Sequence, residues 1–171
     1  TAGGSGMNSE LFIDGATLRY VGLVNGTWPR SLIINENDAT VEVVSSTNVL
    51  TAATIYGPGA LTKTGPGTFV LAQAADYYLG GTTISQGTVR MTAAAAGPGA
   101  ITLGNNTTLE LQNNTLTFTN TMNVPGSGTT LRVNGNVTNV SGGVWTGNGD
   151  VTISSTGSVQ VVLNADISGF G

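Results

Sequence analysis

Gly67-Thr68-Phe69-Val70-Leu71 is followed by Gly87-Thr88-Val89-Arg90-Met91, Thr107-Thr108-Leu109-Glu110-Leu111, Thr129-Thr130-Leu131-Arg132-Val133 and Gly149-Asp150-Val151-Thr152-Ile153, at steps of 20, 20, 22 and 20 residues. Each phrase reads small residue or Thr, then Thr or Asp, then apolar, outward, apolar. That alternation is the period of a strand, because successive side chains of an extended chain point to opposite faces. Two earlier phrases, Ala16-Thr17-Leu18-Arg19-Tyr20 and Ala39-Thr40-Val41-Glu42-Val43, extend the series with steps of 23 and 28 residues, the excess being what one longer loop adds. Self-similarity at a nearly fixed period means stacked units, none of them large enough to bury its apolar face alone.

Between the phrases lie further strand-like runs, Ala100-Ile101-Thr102-Leu103, Thr115-Leu116-Thr117-Phe118 and Asn136-Val137-Thr138-Asn139-Val140. A coil of two or three short strands joined by Gly and Asn corners fits this pattern. Equivalent strands of successive coils then lie parallel and in register, about 4.8 Å apart. Phe69, Val89, Leu109, Leu131 and Val151 are expected in one inward column. The outward position runs Arg19, Glu42, Val70, Arg90, Glu110, Arg132, Thr152, so opposite charges meet wherever charges adjoin. Such pairs on neighbouring strands contribute about 0.2–1 kcal/mol each, and like charges there are unfavourable. Arg19, Glu42, Arg90, Glu110 and Arg132, with Phe170 near the C-terminal end, are the residues expected at surface or assembly contacts. The expected fold is all-β, a parallel β-helix (β-solenoid) of roughly seven coils, about 20–23 residues each, over residues 11–171 behind a flexible arm at 1–10.

Composition supports this. The 171 residues hold 26 glycines and five prolines as turn punctuation, and no stretch carries an apolar helical period. The paired Gly57-Pro58-Gly59 and Gly97-Pro98-Gly99 lie two coils apart and are expected at equivalent corners, with Ala93–Ala96 as another tight corner. Asn35-Glu36-Asn37-Asp38 reads as a corner in which Asn or Asp takes left-handed backbone, and Trp28-Pro29 as a turn before it. Asn at 105, 106, 113, 114, 134, 136 and 139 is expected at turns rather than in stacked amide ladders, since its offset from the phrase varies. The net charge of −4 comes with five scattered basic residues, so no basic patch awaits phosphates and nucleic acid is not an expected partner. No apolar stretch approaches the roughly 20 residues of a membrane helix. There is no cysteine, which excludes disulfides and thiolate metal sites. The start at Thr1 without Met reads as a processed form or an excised piece.

The stretch Gly59 to Met91 resembles the autotransporter-associated β-strand repeat of secreted bacterial passenger domains. The residues that carry it are Leu61, Lys63, Gly65, Gly67, Thr68 and Leu71, then Tyr78 and Gly80-Gly81-Thr82-Thr83-Ile84, then Gly87-Thr88-Val89. The match covers about one fifth of the chain. It implies a right-handed parallel β-helix, export to the cell surface and a scaffold role, and it brings no catalytic residues. One full copy is present, and nothing in the sequence resembles the membrane barrel that autotransporters use.

Histidine is absent, so Ser-His-Asp triads, His metal sites and His bases are excluded. The close carboxylate pairs, Glu10 with Asp14 and Glu36 with Asp38, are expected to cap turns or face solvent rather than to cleave sugars. No cofactor is expected; calcium has two candidate turns, Gly147–Asp150 and Asn35–Asp38, neither within a tandem array. Thr62 with Thr64 and Thr117 with Thr119 have the form of ice-binding rows but do not recur at the coil period. Tyr20, Trp28, Tyr56, Tyr77, Tyr78, Trp145 and Phe170 follow no common spacing and are expected mostly in packing. The expectation is a non-enzymatic, extracellular structural protein whose subunits stack end to end into a filament. The alternative is a passenger segment that binds carbohydrate or a host surface, tested through Trp28 or Trp145.

Overall fold

The computed structural model describes residues 10–72, 77–92, 97–112, 116–134, 137–156 and 160–170. Among these there is no helix, and every strand pairing is parallel. The arm expected at 1–10 and the corner at 93–96 fall almost wholly outside the described residues.

The chain winds around three faces. The first stacks residues 26–28 of β3 (Gly26–Ile34), residues 49–52 of β5 (Val49–Gly57), β7 (Thr68–Leu71), β10 (Thr88–Met91), β12 (Thr108–Gln112), β15 (Thr129–Asn134) and β17 (Val151–Thr156). The second face carries β1 (Leu11–Ile13), the later halves of β3 and β5, and β8 (Tyr77–Tyr78). Farther along, it carries β13 (Leu116–Phe118) and the first halves of β16 (Val137–Gly147) and β18 (Gln160–Phe170). On the third face are β2 (Ala16–Tyr20), β4 (Ala39–Val43), β6 (Leu61–Thr64), β9 (Thr82–Ile84), β11 (Ile101–Leu103) and β14 (Met122–Asn123), then the ends of β16 and β18. The longest strands run through a corner: β5 pairs β7 by residues 49–52 and β8 by residues 56–57, and β16 pairs both β13 and β14. The seven strand levels of the first face bound about six turns, against roughly seven read from the phrases.

The seven phrases do not share one column. The five later ones build β7, β10, β12, β15 and β17, whereas Ala16–Tyr20 and Ala39–Val43 are β2 and β4 on the third face. The 28-residue step from Ala39 to Gly67 is therefore a passage between faces and not one coil with a long loop; true coil steps there are Ala39↔Leu61 and Leu50↔Phe69. The inward column is Leu50, Phe69, Val89, Leu109, Leu131 and Ile153, so Ile153 replaces the expected Val151. That slip is by two residues, which keeps the in-and-out parity that a slip by one would invert. Trp28-Pro29 lies not in a turn but within β3, beside a register shift between Trp28 and Ser31.

The core is the sum of such columns. Phe69, Leu109 and Leu131 have no exposed surface and Val89 has 1%. A second first-face column continues it through Ala52, Leu71, Met91, Leu111 and Val133, all buried. Each fully buried aliphatic side chain adds about 1.5–3 kcal/mol relative to exposure. At Gly57 a stacked corner leaves no room for a side chain: φ is 121°, and a Cβ on it would lie 1.9 Å from the Ile34 carbonyl oxygen. Its counterpart Gly97 has φ 60° with Tyr78 O at 2.2 Å from a built Cβ, which confirms the two Gly-Pro-Gly stretches as corners. Asp38 and Asn106 adopt φ 65° and 55°, the left-handed conformation anticipated for the Asn and Asp corners.

Leu109→Ala opens a void in the middle of its column and is expected to lower unfolding free energy by about 2–5 kcal/mol in denaturant titration. The outward Thr108→Ala, one residue away, is expected to stay within about 0.5 kcal/mol of the parent.

Candidate functional site

The outward charges meet as two separate clusters. On the third face Arg19 pairs Glu42 in register, Nε to Oε2 at 3.0 Å, and the arginine is 60% exposed. On the first face Arg90, Glu110 and Arg132 occupy successive levels. Arg90 donates Nε to Glu110 Oε1 at 3.0 Å and Nη2 to Oε2 at 3.4 Å; Arg132 Nη1 lies 3.6 Å from Oε2, and Asn134 Nδ2 donates to Oε1 at 2.5 Å. Glu110 is buried although it points away from the core, because the two arginine side chains close over it. The level below holds Val70 and the level above Ser154, not the expected Thr152. The backbone of Phe170 pairs with Gly147, and its side chain lies outside what is described.

A third charged group occupies a core position. Alternation along β6 turns Leu61 and Lys63 inward, and Lys63 sits between Val41 and Ile84 in the third-face column with no exposed surface. Its methylene stem fills the column while Nζ reaches the following corner, donating to the carbonyls of Thr64 at 2.7 Å, Gly65 at 2.8 Å and Gln86 at 3.2 Å. The Gln86 side chain answers by accepting from the Gly65 N–H at 3.0 Å. Burial pulls the Lys63 pKa down to about 8, against the opposing pull of Glu42. One side chain thus ties a corner to the turn above it.

Corner polar groups do the same elsewhere. Asp38 Oδ1 accepts from Ala60 N at 2.7 Å, Asn25 Oδ1 from Val49 N at 2.9 Å, Asn105 Oδ1 from Ser127 N at 3.0 Å and Asp150 Oδ1 from Gly128 N at 2.9 Å. Asn120 Nδ2 donates to Gly97 O and Gly99 O, and Asn48 Nδ2 to Gly22 O. These amides bond to backbone one turn away and not to each other. In both calcium candidate turns the aspartate accepts one such bond through Oδ1, and no cluster of three or more carboxylates is placed to hold a metal ion among the described residues. Asp14 accepts from Asn37, while Glu36 and Asp38 lie exposed on the same corner.

Tyr78 and Trp145 are buried, so Trp145 is no probe of a sugar-binding surface; Trp28 is partly buried against the core. The Tyr78 hydroxyl sits 2.5 Å from Thr82 Oγ1, both inside. Threonine does recur at the coil period, as single columns: Thr17, Thr40, Thr62, Thr83 and Thr102 on the third face, Thr68, Thr88, Thr108, Thr130 and Thr152 on the first. The neighbouring columns are Arg19, Glu42, Thr64 on the third face and Val70, Arg90, Glu110, Arg132 on the first, so no two-dimensional hydroxyl array forms among the described residues. No helix among the described residues is long and apolar enough to cross a membrane.

Residues 61–91 match the passenger-associated transport repeat. No curated protein and no solved structure matches the chain. The repeat together with the parallel solenoid fits an autotransporter passenger-type β-helix. The structure gives the repeat's recurrent residues physical roles. Leu61, Leu71, Ile84 and Val89 fill core columns; Gly65 takes φ 74° at the corner Lys63 caps; Tyr78 and Thr82 share a hydroxyl–hydroxyl bond in the interior.

Lys63→Met keeps the stem and removes the donor for three carbonyls, which is expected to cost about 1–3 kcal/mol in unfolding free energy. The folded pKa lies below the ordinary lysine value of 10.5, so the unfolded chain holds this proton more tightly. The titration of Lys63 therefore adds stability that is complete above pH 10.5 and lost as pH falls through about 8. Denaturant midpoints of parent and Lys63→Met across that interval check the sign; the parent's advantage should grow with pH.

Proposed function

We propose that this chain is a non-enzymatic, extracellular scaffold, a stretch of exported passenger-type β-helix whose stack continues end to end into a surface filament. The observation that carries the reading is how the repeat's distinctive polar residues are used. Lys63, Tyr78 and Thr82 are buried and hydrogen-bonded within the fold, which leaves them to hold the stack rather than to meet a substrate. The absence of histidine agrees with a role without acid–base or metal chemistry.

Stacking is supported by the two edges of the described sheets. At one, β1 and β2 have a parallel partner on one side only, and Leu11 and Leu18 pack against the core while remaining partly exposed. At the other, β17 pairs only β15, and its inward Ile153 is 44% exposed. Unpaired parallel edges with apolar inward side chains extend by adding further strands of the same parity. A head-to-tail contact between identical copies that does not close on itself grows as a filament. Negative-stain electron microscopy and light scattering over rising concentration test this: filaments of constant width are expected, and particles that stay monomeric throughout rule out stacking while leaving the scaffold role intact.

A further inference from the structure

We propose that residues 5–7, Ser5-Gly6-Met7, which precede the described residues, add a parallel strand to the first face alongside residues 26–28 of β3, with Met7 seated on Trp28. The winding of the chain argues for it. Each turn passes from first face to second to third, as in residues 26–28, residues 31–34 and β4. The described chain enters this cycle on the second face, at β1. The third face therefore has eight strand levels, β2, β4, β6, β9, β11, β14 and the ends of β16 and β18, against seven on the first. A chain that reaches β1 by the same route comes off the first face, one level outside residues 26–28. Among the described residues that segment pairs only with residues 50–52, so its outer edge is open to a further strand.

The column that ends at this edge is unfinished. Trp28 stands inward in line with Ala52, Leu71, Met91, Leu111 and Val133, each no more than 2% exposed, yet Trp28 itself is only partly buried against the core. Spacing selects what covers it. Four residues separate Trp28 from Leu32, and Leu32 pairs with Leu11; the same count back from Leu11 gives Met7. Met7 is the one large apolar side chain in residues 1–10, and an even step keeps it on the inward side with Leu11. Gly6 then faces Thr27 outward, and Asn8-Ser9 takes the corner that Pro29-Arg30 takes one turn later. Ser5 falls opposite Gly26, where the Tyr20 ring already fills the space of a Cβ and a small partner is what fits.

The chemistry of the contact suits an end of the coil. Strand addition gives the open edge main-chain hydrogen bonds, and a methionine thioether packs well on an aromatic ring while adapting to an irregular surface. The proposal does not rest on end-to-end stacking. In a stack the same strand would lie between residues 26–28 of its own copy and β17 of the neighbouring one, and so be paired on both edges.

The test uses the full chain, dilute enough to stay monomeric, and two kinds of variant. Gly6→Cys with Thr27→Cys sets two outward Cα atoms about 4.8 Å apart, within disulfide reach. Gly4→Cys with Thr27→Cys displaces one of them by a further two residues, about 6.6 Å along the strand, and so beyond that reach. Under mild oxidation the first pair is expected to close within one chain at least about tenfold faster than the second. Met7→Ser reads the inward side: Trp145 is buried, so a rise in acrylamide quenching and a red shift of tryptophan emission report the uncovering of Trp28. Equal closure of the two cysteine pairs, a bond formed between chains instead of within one, or identical quenching of the parent and Met7→Ser each overturns the proposal.

Discussion

Parallel, in-register pairing between one turn and the next is the constraint on which everything else rests. It is satisfied only if every turn delivers a residue of the same parity to every level of every face, so that inward side chains stand on inward ones. Leu50, Phe69, Val89, Leu109, Leu131 and Ile153 meet that condition over a span in which coil lengths change. Loop length is free to vary because only parity and the closing distance are fixed, and added loop residues cost little entropy. The backbone also turns sharply at each corner directly above an earlier corner, which explains why Gly57 and Gly97 tolerate no side chain.

The second demand concerns the polar groups that those corners leave outside the sheets. A strand pairs its own amides and carbonyls, but a corner does not, and buried backbone groups without partners are costly. Here side chains supply the partners: Lys63 for two carbonyls of its own corner and one of the next turn, and, from the neighbouring turn, Asn120 for two carbonyls and Asp38, Asn25, Asn105 and Asp150 for one amide each. This division of labour accounts for a chain with few charges and much Asn. It also explains why residues that look chemical in a sequence are structural in the fold. Glu110 lies beneath two arginines, and Lys63 points into the interior.

The period of the first face was legible because its strands are similar in length and open on the same small-Thr pair. The second face was not, since its strands shrink to Tyr77–Tyr78 and Leu116–Phe118 or merge into longer ones around a corner. Ala16–Tyr20 and Ala39–Val43 were drawn into the wrong column for a physical reason: a strand with one buried side needs the same alternation on any face. Sequence carries no label for which face it is. The charge alternation survived the error because Arg19 and Glu42 are neighbours on their own face. The first-face threonine column stood in the phrase itself, whereas the third-face one was hidden by coil steps that vary from Thr83↔Thr102 to Thr17↔Thr40. Lys63 stood in an inward place of Leu61-Thr62-Lys63-Thr64, and the corner carbonyls that explain it come together only in three dimensions.

The account stands on the direction and register of strand pairing, and the natural absence of cysteine makes that directly measurable. Thr88 and Thr108 face each other on adjacent strands of the outward first face. At a strand spacing of about 4.8 Å their Cα atoms lie within disulfide range. Under mild oxidation Thr88→Cys with Thr108→Cys should cross-link in the monomer, and Thr88→Cys with Gln112→Cys should not. The opposite result, bonding of 88 to 112 and none of 88 to 108, is what antiparallel pairing gives and would contradict the solenoid.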